Sequence, residues 1–174
     1  MVLFDTPALS PILRFFQITL MKTTAPTRQN PDGTKTYSVH SVEETWQVAA
    51  EIAALLRPGM VIALHGDLGA GKTTFVQGLA LALQIKRPVT SPTFTVCLEY
   101  PTAAFTFVHM DLYRLSGPDD LLTIGYLEYL ETGAVVAIEW PERAGDLIPP
   151  DTLHLRFTLT DNPETRLITL TTPA

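Results

Sequence analysis

The chain has 174 residues, 46% of them hydrophobic, and a formal net charge of −6. That length and composition suit one compact soluble domain whose core needs no disulfide support, and Cys97, the only cysteine, has no second thiol for a bridge or a metal site. The negative field disfavours direct, unaided gripping of a polyanion, and no run approaches the roughly 18 apolar residues that would cross a bilayer.

The opening stretch, MVLFDTPALSPILRFFQITLMKTT, lacks the features of a secretory leader: Asp5 comes before any basic residue, and Pro7, Pro11 and Arg14 interrupt the apolar run. Met21 with Lys22 offers a second initiation point, and the polar, turn-rich segment after it is unsuited to packing. Residues 1–35 are therefore expected to be a disordered or mis-assigned extension, and residues 36–174 a single domain. Tyr37 to His40 alternate as a short strand. Ser41 and Glu44 form a capping-box pair opening a helix whose core face is Val42, Trp46, Ala49, Ala53 and Leu56; Pro58 and Gly59 stop it.

MVIALH then reads as a continuous apolar strand of a parallel sheet, and TTFVQGLALAL as a helix following the glycine-rich run between them. TVCLEY and AFTFVHM read as strands, with Cys97 a buried small hydrophobe. PDDLLTIGYLEYLE reads as a helix, AVVAIEW as an apolar strand, and TLHLRFTL with RLITLTT as a hairpin joined by TDNPET. Interleaved strands and helices without repeats predict an α/β fold: a three-layer P-loop NTPase-like domain with a mostly parallel central sheet and a C-terminal hairpin.

Gly66, Gly71, Lys72 and Thr73 match GxxxxGK[ST], the phosphate-binding loop, between a strand and a helix as its mechanism demands. Backbone N–H groups turned inward on a triphosphate need conformations and close approaches that side chains block. The cradle runs over Asp67, Leu68, Gly69, Ala70, Gly71, Lys72, Thr73 and Thr74. Lys72 is expected to reach the β- and γ-phosphates and the Thr73 hydroxyl to ligate Mg²⁺.

Such a loop needs a carboxylate at the end of a neighbouring strand to hold the cation from the other side. Asp111 and Glu139 each follow an apolar run. Asp111 is assigned to the metal, directly or through water, and Glu139 to orienting the attacking water or supporting the metal shell. In SPTFT, Thr93 is the candidate hydroxyl of a nucleotide-sensing loop, against an ordinary Ser-Pro turn. Trp140 is either core or an aromatic wall beside the nucleotide or a partner. His109 reads as structural, His65 as strand-end packing, and Arg114 and Arg143 rank below the carboxylates.

GDLGAGKTTF, SPTF, HMDLYRL and IEWPER, in this order and spacing, resemble the TsaE (YjeE) family, small bacterial P-loop ATPases of tRNA threonylcarbamoyladenosine synthesis. The resemblance covers about Val39 to Arg166. It implies ATP and Mg²⁺ as ligands, hydrolysis that is weak alone and partner-dependent, a cytoplasmic location away from membranes, and TsaD and TsaB as partners, with tRNA reached only through their complex. It aligns Lys72, Thr73, Asp111, Glu139 and Trp140 with the family's functional positions and Thr93 with its switch-like loop. ATP is favoured over GTP by the resemblance, supported by the lack of an NKxD run.

Two departures stand out. Gln84 replaces the family's usual glycine after the P-loop helix, which predicts a different helix ending, and the N-terminal segment has no family counterpart. A small-molecule or nucleoside kinase is the rival reading, but the region after the third helix lacks the arginine cluster of a kinase lid. A nucleotide-gated binding module with little hydrolysis is a third.

Overall fold

The structure, a computed structural model, describes residues 27–30 and 33–173, so the alternative start at Met21 lies outside the described residues. A two-residue strand β1 (Arg28–Gln29) and β2 (Lys35–Val39) are followed by α1 (Val42–Ala53), β3 (Val61–His65) and α2 (Lys72–Ala82). The chain continues through β4 (Cys97–Pro101), β5 (Thr106–Asp111), α3 (Pro118–Thr123), α4 (Tyr126–Glu131), β6 (Val135–Glu139), β7 (Leu153–Leu159) and β8 (Arg166–Thr171). Arg28 and Gln29 thus pair with β2 at a sheet edge.

The eight strands form one sheet in the order β1-β2-β8-β7-β3-β6-β5-β4. β7, β3, β6 and β5 run parallel at its centre, whereas β4 on one flank and β8, β2 and β1 on the other pair antiparallel. The α/β expectation holds with a mixed sheet, and β7 with β8 is the expected hairpin. The parallel strands read as unbroken apolar runs because both their faces are covered. Ile62, Leu64, Phe107, Val135, Ala137 and Leu155 pack on the side of α1 and α2, while Val61, Val108, Met110, Val136 and Ile138 pack with Leu121 and Tyr126 of α3 and α4. Two cores on opposite faces make three layers.

Local signals explain the helices. Ser41 Oγ accepts from the Glu44 amide at 3.1 Å, and the Glu44 carboxylate accepts from the His40 amide at 2.7 Å, one residue earlier than in the standard reciprocal box. The buried face of α1 is Thr45, Val48, Ala49 and Ile52. The expected face holds in part: Ala49 is buried and the half-buried Ala53 and Leu56 pack against the core, whereas Val42 is exposed and Thr45, Val48 and Ile52 widen the face. Trp46 and Ala49 lie close against α2, since an added Cβ on Gly78 would come within 2.7 Å of Ala49 Cβ and 2.9 Å of Trp46 Cα, and glycine there permits the approach. The single helix expected over PDDLLTIGYLEYLE is broken at Gly125 into α3 and α4. Cys97 is half-buried rather than buried; burial raises its thiol pKa, so it is not a reactive thiolate.

The expected change at the end of α2 is also overturned. Gln84 adopts φ 59°, while Ile85 N donates to Ala80 O at 2.9 Å and Gln84 N to Leu81 O at 3.0 Å, the paired bonds of a glycine-type helix ending. Gln84 takes glycine's conformation despite its Cβ. A left-handed non-glycine residue costs about 1–2 kcal/mol, and glycine's greater unfolded-state freedom offsets part of any relief. Gln84→Gly is therefore expected to stabilise the fold by about 0.5–1 kcal/mol, read as a higher urea midpoint at an unchanged m-value.

Candidate functional site

The site lies at the carboxyl ends of β3, β5 and β6, where ligands of open parallel sheets bind. Register brings the parts together: Leu64 pairs with Glu139, and Glu139 with Asp111. The glycine-rich loop leaves β3 at Gly66, whose Cα lies so near β7 that a Cβ would sit 2.5 Å from the Phe157 carbonyl oxygen. At the other end Gly71, at φ 102°, leads into α2, which starts at Lys72 with its first-turn amides facing the loop. Around Gly69 and Gly71 an added Cβ would meet no protein atom within 4 Å, so the loop borders open space at the helix's positive end.

Lys72 is buried, with Nζ donating to Gly66 O at 2.6 Å and Asp67 O at 2.9 Å and lying 4.1 Å from the centre of the Trp140 ring. Burial lowers its pKa, while Glu139, Asp111, Glu142 and Asp67 act in the opposite direction. An ammonium so placed is held ready for an anion without being surrendered to one carboxylate. Trp140 supports it from φ 59°, a left-handed conformation that turns the chain sharply after β6, with Tyr113 at a ring separation of 5.0 Å. This favours the aromatic-wall reading of Trp140, although its ring also packs on the second core.

The two carboxylates are buried and differently engaged. Glu139 Oε1 accepts from the Thr73 hydroxyl at 2.8 Å and faces His109 Nε2 at 2.9 Å. Asp111 Oδ2 accepts from the hydroxyls of Thr93 and Ser91, and Oδ1 from the Tyr113 amide at 3.0 Å. The loop carrying Ser91 and Thr93 is constrained by Val96 at φ 64°, a rare conformation for a β-branched residue, whose carbonyl accepts from the Asp111 amide. So Glu139 belongs with the phosphate loop, and Asp111 with the loop before β4.

A cavity of about 250 Å³ is lined by Lys72, Thr73, Thr93, Asp111, Glu139 and Trp140, among others. All the proposed catalytic and metal residues therefore converge on one space. Leu68 also borders it but is 76% exposed, so it offers backbone and a solvent-facing side chain rather than a packed wall. The donor set suits a hard cation: two carboxylates and one hydroxyl, all oxygen. Among the described residues no three of His, Cys, Asp and Glu cluster to hold a metal, so phosphate oxygens or water would have to complete a shell.

Sequence reasoning missed several parts. The partner of His109, fully buried, is Glu139, which spacing alone could not give. Ser91 shares Asp111 with Thr93. A second cavity of about 220 Å³ shares Gly69, Ala70, Gly71 and Thr74 with the first and continues to Val39, Thr45, Phe157 and Arg166. No linear signal marks it, because three distant segments build it. His65 does more than end a strand, as it meets His154. Arg114 stacks 4.2 Å from the ring centre of exposed Phe94, and Arg143 is exposed beyond Trp140.

The family model described as threonylcarbamoyl adenosine biosynthesis protein TsaE matches residues 39–168. The tRNA threonylcarbamoyladenosine biosynthesis protein TsaE of Aquifex aeolicus is 49% identical over 107 residues, covering 60% of this chain and 75% of that protein. The protein of the same name from Treponema pallidum is 42% identical over 115 residues, covering 66% and 84%. Among solved structures, the crystal structure of Bacillus subtilis YdiB superposes with a TM-score of 0.68 at 34% identity, covering 81% of this chain and 86% of that one. Among the described residues no helix is long and apolar enough to cross a membrane.

Proposed function

Since the chain belongs to the TsaE family of threonylcarbamoyl adenosine biosynthesis proteins, we propose that it is a Mg²⁺-dependent ATPase acting in the cytoplasm with TsaD and TsaB, and that its hydrolysis drives turnover of their complex. The observation carrying this reading is the convergence of Lys72, Thr73, Asp111 and Glu139 on one cavity beside a left-handed glycine loop. A buried cation facing open space at a helix N-terminus is matched to phosphate oxygens.

In this reading the loop amides and Lys72 bind the β- and γ-phosphates, and the second cavity takes the nucleoside. Thr73 and Glu139 would hold Mg²⁺, which when bound neutralises phosphate charge; this exchanges the roles expected of Glu139 and Asp111, because the Thr73 hydroxyl meets Glu139 while Asp111 meets Thr93. Their contact at 2.8 Å supports the pairing. His109 fixes one Glu139 oxygen by donating from Nε2. Asp111 and Thr93 would orient a water in line with the γ-phosphorus: its oxygen forms the new P–O bond as one of its protons passes to the Asp111 carboxylate and on to solvent, the bond from that phosphorus to the β–γ bridging oxygen breaks, and ADP and inorganic phosphate leave. Negative net charge fits a subunit that meets tRNA only through TsaD and TsaB.

Phosphate release from Mg-ATP, measured alone and with TsaD and TsaB, tests the proposal. Slow release accelerated about tenfold or more by the two proteins is expected. Rates identical with and without them, together with no nucleotide-dependent co-elution, defeat the partnership. Phosphate appearing on a nucleoside instead of in solution selects the kinase.

A further inference from the structure

Two imidazoles meet beside the phosphate loop and take no part in the chemistry above. His65 ends β3 and His154 stands near the start of β7; Nε2 of the first lies 2.9 Å from Nδ1 of the second, with ring planes 24° apart and centroids at 5.2 Å. Both rings are half-buried. One nitrogen must donate and the other accept, so a single proton occupies the bridge. One further proton elsewhere on the pair leaves that arrangement intact. With both rings doubly protonated, two N–H groups and two positive charges face each other at hydrogen-bond distance, and the contact cannot persist.

The bridge spans the seam on which the loop hangs. His65 pairs with Arg156 across the parallel strands, and the next residue, Gly66, is the one pressed against the Phe157 carbonyl. The Gly66 carbonyl in turn accepts from Lys72 Nζ. A change at His65 is therefore one residue from the phosphate cradle.

We propose that the His65–His154 bridge is a proton-operated latch: one shared proton ties the carboxyl end of β3 to the first residues of β7, and a full complement of protons parts them and loosens phosphate binding at the adjoining loop. This rests on the nucleotide reading above. Three groups set the threshold. Burial, the largest influence, then His154 and Arg156 lower the pKa of His65 against an opposing pull from Glu142 on the turn after β6; burial and Arg156 lower that of His154. The latch thus stays shut at neutral pH and opens in acid. Because the folded chain takes up these protons less readily than the unfolded one, stability declines as pH falls below about 6.5, the unfolded-state value, toward the lower folded values.

The test is titration with a fluorescent ADP analogue at constant ionic strength from about pH 7.5 to about pH 5.5, a window spanning the ordinary histidine range, on the wild type, His154→Gln and His65→Gln. Glutamine can still hydrogen-bond but does not titrate. Protonation of the ligand is common to all three, so the wild type is expected to lose about tenfold more affinity than either variant, equivalent to about 1.4 kcal/mol. Parallel curves overturn the latch and leave the nucleotide site standing; absence of binding at every pH in the wild type overturns both. Should the variants fail to fold, histidine ¹⁵N spectra of the wild type decide: coupled titration below the ordinary range supports the bridge, and two independent titrations near about 6.5 overturn it.

Discussion

Lys72→Ala is expected to lower the rate of ATP hydrolysis on the order of a thousandfold, the scale of losing a fixed charge from a developing phosphoryl transition state. The ammonium is already positioned by two loop carbonyls and the Trp140 ring, so little reorganisation is needed when phosphate arrives. Its removal should leave the chain folded, because a buried cation whose pKa burial lowers is not a strong contributor to stability. Single-turnover phosphate release with a parallel thermal melt checks both parts. A loss of only a few fold in a folded variant would mean that Lys72 does not touch the transferring phosphoryl group.

Glu139→Gln is expected to lower turnover by about a hundredfold, roughly 2.7 kcal/mol at the barrier, and to raise the Mg²⁺ concentration needed for half-maximal rate. The substitution preserves shape. A glutamine oxygen can accept from Thr73 and His109 as the carboxylate does, so the change removes charge while keeping both contacts available. Nucleotide binding without Mg²⁺ should therefore be little altered. Measuring rate against Mg²⁺ concentration, alongside analogue binding in a chelator, separates a cation role from a packing role. Equal loss of binding with and without Mg²⁺ would assign Glu139 to packing.

The phosphate loop was legible because its chemistry is local: glycines, lysine and threonine stand within eight residues, between an apolar strand and a helix. Asp111 and Glu139 could be found one step further out, because strand ends in a parallel sheet share a rim. What each carboxylate holds could not be read, since Glu139 meets Thr73 across 66 positions and Asp111 meets Thr93 across 18. The C-terminal hairpin was legible, but the antiparallel pairing of β4 with β5 and of β2 with β8 was hidden for a related reason: alternation tells which residues a strand buries and says nothing of which strand lies beside it. The close approach of α1 to α2 could not be read from spacing either, because it depends on Gly78, far along the chain, lying against Trp46 and Ala49. Composition likewise gave no warning that Gln84 would assume glycine's backbone.

The left-handed bend at Trp140 has a wider consequence. In an ordinary extended strand, neighbouring side chains diverge to opposite sides, and one ligand could consult only one of them. The bend lets adjacent positions serve a single mouth, the Glu139 carboxylate facing Thr73 and the indole lying against Lys72. Straightening it, even with both side chains kept, would split a composite wall into two unrelated surfaces. Backbone handedness at one residue is thus as much part of the binding chemistry here as any functional group.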